Sequence, residues 1–155
     1  METNLRIFSP DVLLEEYREL LKDESVEALP LVISGNSMTP FLVHGRDTVF
    51  LSKPHQPLKK GDMVLYQRNN GAYILHRIFK TDLDSYTMVG DAQTVLEYGI
   101  RNDQIRAVVT AVRRKGKILQ KGNFWWDFFE KVWISMVPFR PLFSKIYSAF
   151  KIYKH

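Results

Sequence analysis

Between Leu29 and Val112 the chain runs as short stretches of alternating apolar and polar positions, each cut off by a cluster of turn-forming residues. "LPLVIS", "DTVFLSK", "DMVLYQR", "YILHRIF", "SYTMVG" and "IRAVVTAV" are rich in β-branched and aromatic side chains and read as strands. The segments "HGRD", "KKGD", "RNNGA", "KTDLDS" and "RKGK" between and after them read as turns. "NNG" and "KGK" are expected to be hairpin tips, because Asn and Gly tolerate positive φ. Six or seven strands at this spacing predict a mostly β fold, a small antiparallel sheet or barrel.

The period differs at both ends. Ser9 is the expected N-cap of a first helix, with Pro10 at its first position. Val12, Leu13, Tyr17, Leu20 and Leu21 then recur at helical spacing, while Glu15, Glu16 and Arg18 face away, and the helix should stop near Asp23. After Gly122, Phe124, Trp125, Phe128, Phe129, Val132, Trp133 and Met136 form one helical stripe, with Asp127, Glu130, Lys131 and Ser135 opposite. Pro138 and Pro141 are expected to break it. A second stripe follows, made of Phe143, Ile146, Tyr147, Phe150 and Tyr153, with Lys145, Lys151 and Lys154 alongside. The pattern thus divides the chain into an N-terminal helical segment (1–28), a β domain (29–121) and an aromatic-basic amphipathic tail (122–155).

Composition narrows the chemistry. The 155 residues include no cysteine, which excludes disulfides and thiolate metal sites. Four histidines (His44, His55, His76, His155) lack ligand spacing, so neither metal nor cofactor is expected. A net charge of +5 permits anionic partners, and no nucleic-acid partner is expected from it. The N-terminus carries acids within its apolar stretch, unlike a signal peptide, and no run of about 18 residues is free of charge, so no conventional spanning helix is expected. The tail holds all three tryptophans and 11 of the 20 aromatics. Tryptophan on one face and lysine on the other suits a helix lying at a membrane surface. The alternative is that the tail packs on the sheet or in a dimer. The expected location is peripheral to a membrane or cytoplasmic.

One stretch carries candidate chemistry. In "VISGNSMTPF" two β-branched residues run into a tight turn that presents Ser37. A serine hydroxyl is a poor nucleophile unless a neighbour takes its proton. His44 and His55 sit in turns and read as solvated. His76 lies inside the apolar run "AYILHRIFK", where alternation puts Ile74, His76 and Ile78 on one face and Tyr73, Leu75, Arg77 and Phe79 on the other. Taken alone, His76 reads as a hydrogen-bonded core residue, and Asp91 of "VGDA" as a turn carboxylate.

Taken together, "GNSMTP" (35–40), "KKGDMVLY" (59–66), "HRIF" (76–79) and "VGDA" (89–92) follow the motif order of signal peptidase I and its relatives among the S24/S26 serine peptidases. Over residues 31–112 the chain resembles that family, in the branch whose base is histidine rather than lysine. The resemblance implies a small antiparallel β-barrel or sheet of the signal peptidase type. It implies Ser37 as nucleophile, His76 as general base and Asp91 as the acid that orients the imidazole. The family's Gly-Asp-Asn reads Gly90-Asp91-Ala92 here, and its later Asp falls at Leu96-Glu97, so Glu97 is the alternative acid. Oxyanion donors would be the Ser37 N–H with Ser34 or Asn36, and Met38 would shape the substrate groove or pack beneath the turn. Asp62 reads as structural, and Lys80 is the rival base. The expected function is a serine endopeptidase acting on a peptide or protein through an acyl-enzyme. The alternative, favoured by the altered "GDAQTVLE", is an inactive peptide- or partner-binding domain of the same fold.

Overall fold

The computed structural model describes residues 10–152; the expected Ser9 cap and the tail positions Tyr153, Lys154 and His155 lie outside the described residues, as does the side chain of Lys151. Helix α1 (Pro10–Leu20) turns Leu14 inward and, just past its end, the chain buries Leu21, while Glu15, Glu16 and Glu19 stay in solvent. Eight strands follow: β1 (Leu29–Val32), β2 (Thr48–Ser52), β3 (Met63–Gln67), β4 (Tyr73–Thr81), β5 (Ser85–Val89), β6 (Glu97–Arg101), β7 (Ile105–Arg114) and β8 (Lys117–Leu119). They form one antiparallel open sheet in the order β1-β2-β7-β3-β4-β5-β6, with β8 hairpinned onto β7. The fold is mostly β, with helical segments at both ends.

Alternation along β3 explains the layering. Met63 and Leu65 join a main core with Phe41, Leu42, Val49, Leu51 and Val112, whereas Val64 and Tyr66 join a second cluster with Ile78, Met88, Ile100 and Val108. Both faces of β3 are covered, which is why it reads as a continuous apolar run. Register shifts at Phe50/Leu51, Leu65/Tyr66 and Ile78/Lys80 bend the strands and raise their twist. The hairpin tips expected at "NNG" and "KGK" form between β3 and β4 and between β7 and β8.

The change of composition at Gly122 is not a change of core. Asn123 caps a short helix, α2 (Phe124–Asp127), its side chain accepting from the Trp125 and Trp126 N–H groups at 2.9 and 3.4 Å. A π turn (Phe128–Val132) and a 3₁₀ segment (Trp133–Phe139) follow, and then α3 (Arg140–Ile152). The stripe differs from the one expected: Trp126, Phe129, Ile134 and Val137 are buried, while Phe124, Trp125 and Val132 are exposed. The cause is pitch, because the π turn and 3₁₀ segment rotate successive side chains by angles other than 100°. Pro138 sits within the 3₁₀ segment, and Pro141, at the second residue of α3, begins a helix rather than ending one. No helix among the described residues is long and apolar enough to cross a membrane.

Candidate active site

Ser37 lies on the loop joining β1 to β2, and the loop is held from below and from the side. Met38, Phe41 and Leu42, directly after it, are buried in the main core. Met38 thus packs beneath the turn while also lining the groove described next. Gly35 adopts φ +85, a left-handed conformation that a side chain disfavours, and its N–H donates to His44 Nδ1 at 2.8 Å. His44, which read as a solvated turn residue, is therefore a brace of the Ser37 loop. On the far side the Ala92 N–H donates to the Ser37 carbonyl at 2.9 Å.

Ser37 and His76 line the same groove, of about 640 Å³, together with Ser34, Gly35, Met38 and Gln93. Two strand edges flank it. Along β1 the Ile33 N–H bonds back to Asp47 and the Pro30 carbonyl accepts from the Tyr17 hydroxyl, so alternation turns the polar groups of Val32 outward. Along β4, Ile78 bonds toward Asp62, so the same alternation turns those of Leu75 away from β3. Strand β5 stops opposite Arg77 and leaves Leu75 without a partner strand on that side. Leu13, Leu14 and Tyr17 of α1 line part of the groove, and the Tyr73 hydroxyl donates to Glu15.

His76 is 4% exposed, and burial pushes its imidazole down to about 4, against the pull of Glu97. Among the described residues its one hydrogen-bond partner is the Tyr66 hydroxyl, 3.3 Å from Nδ1. Tyr66 in turn donates to Glu97, and Arg68 Nε donates to the same carboxylate at 2.8 Å. Burial pushes the Glu97 carboxyl up, but the bonds from Arg68 and Tyr66 outweigh it and hold it below its usual range. Burial and Glu97 push the Tyr66 hydroxyl up, so it keeps its proton. Since that proton goes to Glu97, the phenol oxygen is left to accept from His76, which makes Nδ1 the protonated nitrogen. Nε2 then carries the lone pair. It faces Gly90, where an added Cβ would meet it at 3.0 Å and the Ser37 carbonyl at 2.5 Å. Only glycine fits between them.

Asp91 goes elsewhere. It is fully buried and paired with Arg77, whose Nε lies 2.9 and 3.2 Å from its two carboxylate oxygens. Burial pushes its carboxyl up, against Arg77 and Arg140. Arg77 follows His76 in β4, so its side chain leaves the opposite face of the sheet and takes Asp91 with it. The structure thus brings Ser37, His76 and Glu97 to one region, with Tyr66 between the last two, and does not bring Asp91 to His76.

The remaining candidates separate clearly. Ser34 and Asn36 are exposed beside Ser37. Asp62 accepts from the Lys59 N–H at 2.8 Å and shapes its own turn. Lys80, four residues beyond His76, points to solvent and pairs with Asp82. Gln93 lines the groove, its side-chain oxygen accepts from the Gly90 N–H at 3.2 Å, and its NH₂ makes no hydrogen bond among the described residues. Arg140 is buried and donates to the Gly90 and Gln93 carbonyls, both at 2.7 Å, and Trp133 Nε1 donates to the Asp91 carbonyl at 2.8 Å. Neither was readable as a site residue, because both lie in the tail, more than forty residues from the loop they hold. Among the described residues no cluster of His, Asp and Glu could hold a metal ion. Compared with protein-family models, curated proteins and solved structures, the chain matches none of them.

Proposed function

We propose that this chain is a serine peptidase of the signal-peptidase type, with Ser37 as nucleophile and His76 as general base. The observation that carries the reading is the placement of His76: it lines the groove with Ser37, and its Nδ1 lies 3.3 Å from the Tyr66 hydroxyl, which donates to Glu97, a chain of bonds that favours the tautomer with the lone pair on Nε2. An extended peptide in the groove would add as a strand between the free edges at Val32 and Leu75. Ser37 Oγ would attack the scissile carbonyl carbon as its proton passes to Nε2. The oxyanion would be met by the Ser37 N–H, with the Gln93 NH₂ or Ser34 as second donor. The C–N bond then breaks and the Nε2 proton goes to the leaving amine. Water, deprotonated at Nε2, releases the acyl group. The imidazolium formed midway would be balanced by Glu97 acting through Tyr66, the place that Asp91 holds in the family resemblance.

A second reading has its own support. Among the described residues the Ser37 hydroxyl makes no hydrogen bond to His76, as suits a peptide-binding module without turnover. Incubation with a degenerate peptide mixture, read by mass spectrometry of new termini, separates the two. New termini that vanish in Ser37→Ala and in His76→Gln support the peptidase. If the folded wild type generates none, or Ser37→Ala generates as many, the peptidase reading is lost.

A further inference from the structure

The tail expected to act as one unit divides in two. Its first part is consumed by packing, with Trp126 and Phe129 in the main core and Ile134 and Val137 against Val89. Helix α3 is different: every residue from Pro141 to Phe150 is exposed. Leu142 is 56% exposed, Ile146 44% and Phe150 71%. At 100° per residue these three fall on one side of the helix and Ser144 and Ser148 on the other, with Lys145 on one flank and Tyr147 and Phe143, the latter against Trp133, on the opposite flank. A lone helix of this length is marginal in water, so its apolar face calls for a cover.

Charge and area select the cover. Glu130 is the last acid in the sequence; Lys131, Lys145, Lys151 and Lys154 follow it with no acidic side chain among them, while Arg140 is buried near Asp91. A second copy docked α3 on α3 would bring Lys145 against a helix without a carboxylate. The face is small as well, about 20 Å by 10 Å, against the roughly 800 Å² per partner that a stable protein interface needs. An anionic lipid surface asks only for an apolar strip rimmed by cations. We propose that α3 docks in the headgroup layer of an anionic membrane, with Leu142, Ile146 and Phe150 toward the acyl chains. Arg140, at the root of the helix, is bonded to the Gly90–Gln93 loop, so a docked α3 would hold the Ser37 groove at the membrane surface.

The test uses the full chain and needs no enzymatic activity, so it stands apart from the peptidase reading. Wild type should sediment with vesicles containing phosphatidylserine and stay in the supernatant with phosphatidylcholine alone. Ile146→Ser combined with Phe150→Ser should abolish sedimentation while leaving circular dichroism and melting unchanged, since both side chains are exposed. Lys145→Glu should weaken binding roughly tenfold at low salt, and less at high salt. Wild type that ignores phosphatidylserine vesicles would overturn the proposal, as would a double variant that binds undiminished. So would a wild-type dimer in analytical ultracentrifugation that the double variant dissolves, since the face would then belong to a second copy.

Discussion

At the residue scale, burial decides which carboxylate does what. Asp91 and Glu97 are six residues apart, yet one neutralises a buried guanidinium and the other reaches the imidazole through a phenol. Asp91→Asn should leave Arg77 buried without its counter-charge, at a cost of about 3–5 kcal/mol. A fall in melting temperature, with the folded fraction keeping its turnover number, would check this. Tyr66→Phe and Glu97→Gln should do the reverse. Loss of the group that orients a catalytic imidazole can cost up to about 10⁴ in turnover. The Tyr66 link is longer, at 3.3 Å, so the expected loss in kcat is about tenfold to a hundredfold, with little change in melting. The opposite ranking in paired kinetic and melting measurements would return the acid to Asp91. Burial also moves the expected pH limb. With His76 pushed down to about 4, kcat/KM should fall only as pH drops toward about 4, rather than between 6 and 7 as for an exposed histidine. A profile with its inflection between about 6 and 7 would mean that the imidazole acting as base is not desolvated.

At the scale of elements, the tail and the Gly90–Gln93 loop act together. Truncation after Gly122 would strip Trp126, Phe129, Ile134 and Val137 from the core and release the loop that Arg140 and Trp133 hold. Large apolar side chains removed from a core cost about 2–5 kcal/mol each. The truncated chain should therefore fail to show a cooperative melt, and a sharp transition near the wild-type temperature would disprove this account of the tail. Gly90→Ala probes the same contact more gently. Its methyl would lie 2.5 Å from the Ser37 carbonyl and must push serine and imidazole apart. Expected are a loss of about 1–3 kcal/mol in stability and a fall of about 10² in turnover, from a displacement near 1 Å. Urea unfolding and peptide cleavage by the same preparation would measure both.

For the molecule as a whole, the buried imidazole ties stability to pH. Its folded value, near 4, lies below the roughly 6.5 of an unfolded histidine, so between them the unfolded chain binds the extra proton. Stability from this group is complete above about pH 6.5 and declines by roughly 3 kcal/mol as pH falls toward 4. Melting followed across that window should show a steeper decline for wild type than for His76→Gln; parallel curves would mean that His76 is not desolvated. The same contrast between local and distant forces separates what was legible from what was not. Period and turn residues determined the strands, the first helix and the hairpin tips, because these rest on contacts a few residues apart. The motif order likewise brought out Ser37 and His76. Strand β6 was not legible: Gly99 interrupts it, Glu97 and Arg101 flank it, and it is the sheet's edge. Glu97 could be named, but its route to His76 needed β6 laid beside β5 and Tyr66 brought up on β3. Nor does the sequence alone say that the central β7 pairs with β2 and β3, or that a tail of different composition completes the core. Those outcomes depend on which faces meet when apolar surface is buried, and burial is non-directional. The sequence by itself determined six of the eight strands, the first helix and the hairpin tips, and it carries motifs in an order that resembles a peptidase's. Tertiary structure alone decided that Asp91 meets Arg77, that Tyr66 meets His76, and that α3 is left uncovered.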